Sequence, residues 1–131
     1  MTHLLDTDTC IGVLRQQPSM VQQLSQLAPT DCAVSMVTVY ELFCGVEKAQ
    51  DLAKERQKVE RFISAVRELP LDRAAAESAA RTRADLERKG QRIGPYDLLI
   101  AGQALASGLT LVTNNVQEFQ RISGLKLESW P

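Results

Sequence analysis

Short apolar runs alternate with stretches of helical periodicity along this 131-residue chain, and that alternation constrains its fold more than any other feature. His3-Leu-Leu predicts a buried strand that ends at Asp6, and Cys32-Ala-Val-Ser35 predicts a second. Glu68-Leu-Pro-Leu71, Leu109 to Thr113 and Lys126-Leu-Glu128 predict three more. Helices fill the intervals. Thr7 or Asp8 can cap the first, which carries Ile11 and Leu14 and ends before Pro18. Met20 to Leu27 predicts a second, with Val21, Leu24 and Leu27 on its inner face. A third starts at Ser35 or Val37 and runs through Glu47. Gln50 to Val66 predicts a longer one that turns Val59, Phe62, Ile63 and Val66 inward. Asp72 caps an alanine-rich helix whose face of Ala75, Ala79, Thr82 and Leu86 suits close approach, and Gly90 ends it. Pro95 suits the first turn of a helix that runs to about Ser107 and is closed by Gly108. Val116 to Phe119 predicts a last short helix. Strands that alternate with helices imply an α/β fold, a mostly parallel sheet sandwiched between helices.

The length predicts one domain over residues 1–131, able to bury a core without disulfide or structural metal. No apolar run approaches the ~18 residues that cross a bilayer, and no basic segment followed by an apolar core marks a secretory signal, so no membrane partner is expected. Cys10, Cys32 and Cys44 are odd in number and lack metal-ligand spacing, so they read as small buried hydrophobes in a reducing cytoplasm. His3 is the only histidine, which excludes a His-rich zinc site. A formal net charge of −1 argues against nucleic-acid binding by bulk electrostatics. Charge is segregated, however: Arg73, Arg81, Arg83, Arg88, Lys89 and Arg92 follow one another with only Glu77, Asp85 and Glu87 to offset them. That stretch is either a solvated helix face, with pairs such as Asp85 and Lys89, or a phosphate-contacting patch.

The chemistry-bearing residues are Asp6, Glu41, Asp97, Asn115 and Glu118. Each has an ordinary reading: Asp6 as a helix cap, Glu41 as a good helix former, Asp97 as a complement to a helix dipole, Asn115 as a turn residue, Glu118 as a surface acid. Yet Thr7, Asp8 and Thr9 can cap in place of Asp6, Thr38 and Gly45 leave Glu41 a small polar surround, and Asp97 precedes the core run Leu98-Leu-Ile-Ala101. Open α/β sheets gather strand ends at one edge. Carboxylates gathered there repel one another unless a cation neutralises them. Magnesium suits them, because it takes oxygen ligands and needs only one or two direct carboxylates. Two such ions can clamp the attacking and leaving oxygens of a phosphodiester.

The order and spacing of these segments resemble PIN-domain ribonucleases, and more closely the VapC-type toxins of bacterial toxin–antitoxin pairs. The matching residues are Leu5-Asp-Thr-Asp8, Ser35-Met-Val-Thr-Val-Tyr-Glu41-Leu with Gly45, Leu69-Pro-Leu-Asp72, Ile93-Gly-Pro-Tyr-Asp97-Leu-Leu-Ile-Ala101, and Leu111-Val-Thr-Asn-Asn115 with Glu118-Phe119. The resemblance spans essentially the whole chain and implies a PIN-like three-layer α/β/α fold. It implies that Asp6, Glu41 and Asp97 bind Mg2+ or Mn2+ and that a metal-activated water cuts RNA. Asn115 stands where relatives often carry a fourth Asp, which weakens a second metal site unless Glu118 supplies the charge. Asp8 stands where many relatives carry Asn. A cognate antitoxin, a homodimer and a cytoplasmic location are further implications.

Two rival readings exist. Asp6-Thr-Asp8 after an apolar strand is similar to the nucleophile motif of haloacid-dehalogenase-type phosphatases, although Cys10 departs from it. Asn115 favours a PIN-like fold used only for binding. Tyr96 either packs at its helix start or stacks on a base, and Trp130 is expected to be a packing anchor.

Overall fold

Leu4 and Leu5 are both fully buried, although successive strand residues point to opposite faces. Their strand must therefore have a layer on each side. In the computed structural model, which describes Met1 to Pro131, this strand, β1 (His3–Leu5), is the middle member of a five-stranded sheet. Its partners are β2 (Cys32–Ser35), β3 (Arg67–Leu69), β4 (Thr110–Val112) and β5 (Leu127–Glu128), in the order β3-β2-β1-β4-β5. Every pairing is parallel.

The helices are α1 (Thr7–Leu14), α2 (Pro18–Ser25), α3 (Met36–Glu47), α4 (Leu52–Ser64), α5 (Arg73–Arg88), α6 (Pro95–Ser107) and α7 (Val116–Phe119). Leu5, Val34 and Val112 on one sheet face meet Cys10 of α1, Met20 of α2, Val39, Leu42 and Val46 of α3 and Val59, Phe62 and Ile63 of α4. Leu4, Ala33 and Leu111 on the other meet Leu86 of α5, Leu98, Ile100, Ala101 and Ala104 of α6 and Phe119 of α7. The result is the expected α/β/α sandwich, and Trp130 is the buried anchor foreseen for it.

The outer pair α5 and α6 packs through small residues. Ala75, Ala79, Thr82 and Leu86 are buried as their spacing predicts. Gly102 of α6 lies so close that a Cβ there would stand 2.6 Å from the Cα, Cβ and N of Ala79. Gln103 beside it donates from Nε2 to the carbonyls of Leu69 (3.0 Å) and Pro70 (2.9 Å), pinning the end of β3 to α6. Gly108 closes α6 in the left-handed conformation, φ 66°, that only glycine adopts without strain.

Several boundaries differ from expectation, for identifiable reasons. α2 begins at Pro18 because proline suits a first turn, and it turns Met20 inward while Val21 faces solvent. Gly12 of α1 makes the room: a Cβ there would overlap the Met20 sulfur. α4 is shorter than Gln50–Val66 because Asp51 caps it, its Oδ1 accepting from the Lys54 amide at 3.1 Å. β3 stops at Leu69, since Pro70 has no amide to pair. Asp85 pairs with Arg88 rather than Lys89, which is the C-cap of α5. Cys10 and Cys32 are buried and Cys44 is half-buried, all as free thiols. No helix is long and apolar enough to cross a membrane.

Candidate active site

Parallel strands deliver their C-terminal ends to one edge of the sheet. From β1 the chain builds outward through β2 and β3, then crosses back to add β4 and β5 on the other side. Such a reversal opens a crevice between the two strands concerned, here β1 and β4. Asp6 follows β1 directly, and its amide donates to the Val112 carbonyl of β4 at 3.0 Å. Thr113 follows β4 and is fully buried. On the other flank Leu5 is in register with Val34, so Ser35 ends its strand beside Asp6. The Ser35 hydroxyl accepts from the Val37 amide at 3.0 Å and so starts α3, the helix that carries Glu41.

Asp6 is buried and caps α1, its Oδ1 accepting from the Thr9 amide at 2.8 Å. Thr7, Asp8 and Thr9 do not replace it as the cap. Capping and ligand binding are compatible, because a carboxylate has two oxygens and several acceptor directions. Burial raises the Asp6 pKa; nearby Thr113 and Thr9 offset part of the rise, and the charge of Asp8 adds to it.

Thr7 has a different task, which sequence reading missed. Its hydroxyl donates to Glu41 Oε1 at 2.7 Å and lies 3.0 Å from the Thr38 hydroxyl. Thr38, one turn before Glu41, is buried as its small polar setting implied. The only local hint of Thr7 is its place directly after Asp6.

Asp97 is the third residue of α6 and half-buried. Its pKa is pushed up to about 6, first by burial and then by the charges of Asp6, Glu118, Glu41 and Asp8. Four acids from three other parts of the chain thus act on one carboxyl. No basic side chain contributes to the shift. Glu118 on α7 is held by Asn115, whose side-chain amide donates to Glu118 Oε2. Asn115 itself is exposed, and its backbone amide donates to the Thr113 hydroxyl at 3.0 Å. Asn114, also missed in the sequence, ties the C-terminal segment to this loop. Its Oδ1 accepts from Ser129 Oγ (2.7 Å) and the Trp130 amide (3.1 Å).

These donors are all hard oxygens, the kind that magnesium and manganese take. No three of the acids form a group that can clasp one ion. Asp6 and Glu41 of the expected trio therefore lie near enough to act on Asp97, without the three forming a closed cage. That arrangement fits an ion held by one or two carboxylates and otherwise hydrated. A cavity of about 640 Å³ lies elsewhere, between α5 and the start of α6, and none of these acids lines it. Half of the basic stretch near it is paired: Arg73 with Glu77 at 2.9 Å, Arg83 with Glu87 at 3.5 Å, and Arg88 with Asp85.

Residues 3–125 match the PIN domain family. The chain belongs to that family. It is 43% identical over 129 residues to a tRNA(fMet)-specific endonuclease VapC of Salmonella typhimurium, covering 97% of this chain and 96% of that protein. It is 39% identical over 127 residues to the protein of the same name from Shigella flexneri, at 97% and 96% coverage. The crystal structure of DNA-bound VapBC from Salmonella typhimurium contains a chain that superposes with a TM-score of 0.95 at 39% identity, over 100% of this chain and 99% of that one. VapBC2 from Rickettsia felis, bound to a promoter DNA fragment, gives 0.94 at 36% identity over the full length of both chains. The PIN-like sandwich anticipated from the sequence is thus the observed fold, with every strand of its sheet parallel.

Proposed function

We propose that this PIN domain is an endoribonuclease toxin of VapC type, which hydrolyses RNA phosphodiester bonds with Mg2+ or Mn2+ and is neutralised by a cognate antitoxin. One observation carries the reading: acids from three other parts of the chain converge on Asp97 at the β1/β4 crevice and add to the rise in its pKa that burial begins, with no basic partner to relieve them. Such a site is stabilised by a cation. The similar proteins named as VapC endonucleases, and the VapBC complexes among similar structures, support the substrate class and the partner.

The ion would supply positive charge at the attacking and leaving oxygens of the scissile phosphodiester. Asp6 and Asp97 would be its direct ligands. Glu41, held in place by Thr7, and Glu118, held by Asn115, would accept hydrogen bonds from water in the cleft and orient it for attack. The Asn115–Glu118 pair restores one negative charge where relatives often carry a fourth Asp. A toxin homodimer is part of the same proposal. So is a cytoplasmic setting, which suits the free thiols. The phosphatase reading of Asp6-Thr-Asp8 is set aside, because the PIN match covers residues 3–125.

The test is cleavage of RNA by the purified chain with magnesium or manganese, with and without chelator, and by Asp97→Asn protein. Cleavage that needs the metal and is lost in Asp97→Asn supports the proposal. Cleavage that persists in Asp97→Asn would show that the site is elsewhere. No cleavage with either metal would favour a binding module.

A further inference from the structure

The chain has two tyrosines, and the fold brings them together. Tyr40 on α3 and Tyr96 on α6 meet edge to face, with ring centroids 5.7 Å apart and planes at 67°. Tyr40 immediately precedes Glu41, and Tyr96 immediately precedes Asp97. Both rings are open to solvent, Tyr40 at 54% and Tyr96 at 44% exposure. The other aromatic rings behave differently: Phe62, Phe119 and Trp130 are buried in the cores, and Phe43 is half-buried beneath Arg56. Tyr96 therefore does not pack into its helix start. The two aromatic rings most open to solvent are thus those next to two of the candidate site acids.

We propose that Tyr40 and Tyr96 form a stacking platform for an unpaired RNA base adjoining the phosphodiester held at the acidic cleft. The inference rests on the nuclease reading above and deepens it. Exposed rings are what single-stranded nucleic acid uses, since every base has a π-face and stacking needs no charge. A net charge of −1 leaves little bulk attraction for a polyanion, so an uncharged contact matters more here than on a basic surface. Two rings set edge to face offer a base one flat face and one edge, which selects an unstacked nucleotide. Bases inside a duplex are already stacked and cannot reach the rings. The platform therefore directs the enzyme to loops and single strands.

The experiment uses Asp97→Asn protein with magnesium, so that binding is read without cleavage. The probe is a short unstructured RNA containing a fluorescent purine analogue whose emission is quenched on stacking. Tyr40→Ala and Tyr96→Ala are each expected to weaken binding roughly 5- to 150-fold and to abolish the quenching, with the salt slope unchanged. Tyr40→Phe and Tyr96→Phe are expected to bind and quench like the parent. A duplex of the same sequence is expected to be indifferent to all four changes. Unchanged affinity and quenching in the alanine variants would overturn the platform. So would unchanged RNA affinity accompanied by lost self-association in sedimentation, which would assign the rings to a protein interface. The two readings fail separately. Wild-type protein that cuts RNA while the alanine variants bind normally removes the platform alone. Protein that cuts nothing yet loses stacking in the variants removes the nuclease assignment alone.

Discussion

Asp97 is the residue whose chemistry depends most on its neighbours. Its carboxyl is raised from the usual 3.8 to about 6, while in the unfolded chain it returns to the usual value. Between those values the folded protein binds the extra proton, so this group favours folding below pH 4 and that contribution is lost as pH rises through about 6. Asp6 is shifted in the same direction. Metal-free protein is therefore expected to lose thermal stability from pH 4 to 6.5, and Asp97→Asn to flatten that slope. Added magnesium should restore the loss at pH 7 and do little at pH 4.5; differential scanning calorimetry across pH reads all three. RNA cleavage should likewise fall in acid, at a pH below about 6 when the cation is bound, because its positive charge favours the ionised form of Asp97. Thr7 supports the site without facing solvent. Thr7→Val keeps its shape but removes the hydrogen bond to Glu41. Supporting groups of this kind are worth about 10- to 100-fold in metal-site activity. That loss is expected in kcat/KM, with a stability change of about 1 kcal/mol.

At the scale of elements, the contact between α5 and α6 tolerates nothing larger than it has. Gly102→Ala places a methyl 2.6 Å from Ala79 backbone atoms and must force the helices apart. A cost of about 1–3 kcal/mol in urea unfolding is expected. Asp72→Ala removes the cap that Oδ1 provides to the Ala75 amide and should cost about 1 kcal/mol. Elements with strong local punctuation were legible in the sequence: the start of α5 at Asp72, the start of α6 at Pro95 and its end at Gly108. The inner face of α2 was not, because Met20 is inward only by virtue of the gap left by Gly12 on another helix. The site shows the same division. Asp6, Glu41, Asp97 and Glu118 stand out through their places at strand and helix starts, and their convergence follows from parallel topology. Thr7 and Asn114 act through residues far along the chain, Glu41 and Trp130, so no local pattern marks them.

For the whole molecule, the two cores on either side of the sheet are apolar and owe nothing to the acidic cleft. Removal of metal is expected to stop RNA cleavage and to leave the far-ultraviolet circular dichroism spectrum unchanged. A chelator titration followed by both signals checks this, and loss of helix together with activity would make the ion structural. Magnesium at a hundredfold excess over its dissociation constant is expected to add about 2.7 kcal/mol of stability at neutral pH.

The central position of β1 has a consequence for how the protein is made. This strand is flanked in the finished sheet by β2 on one side and on the other by β4, which follows six of the seven helices in the chain. During synthesis Asp6 and Glu41 precede Asp97, β4 and Glu118, so the crevice has no β4 wall when its first acids emerge. The proposed cleavage site is therefore expected to be complete only once β4 has paired with β1.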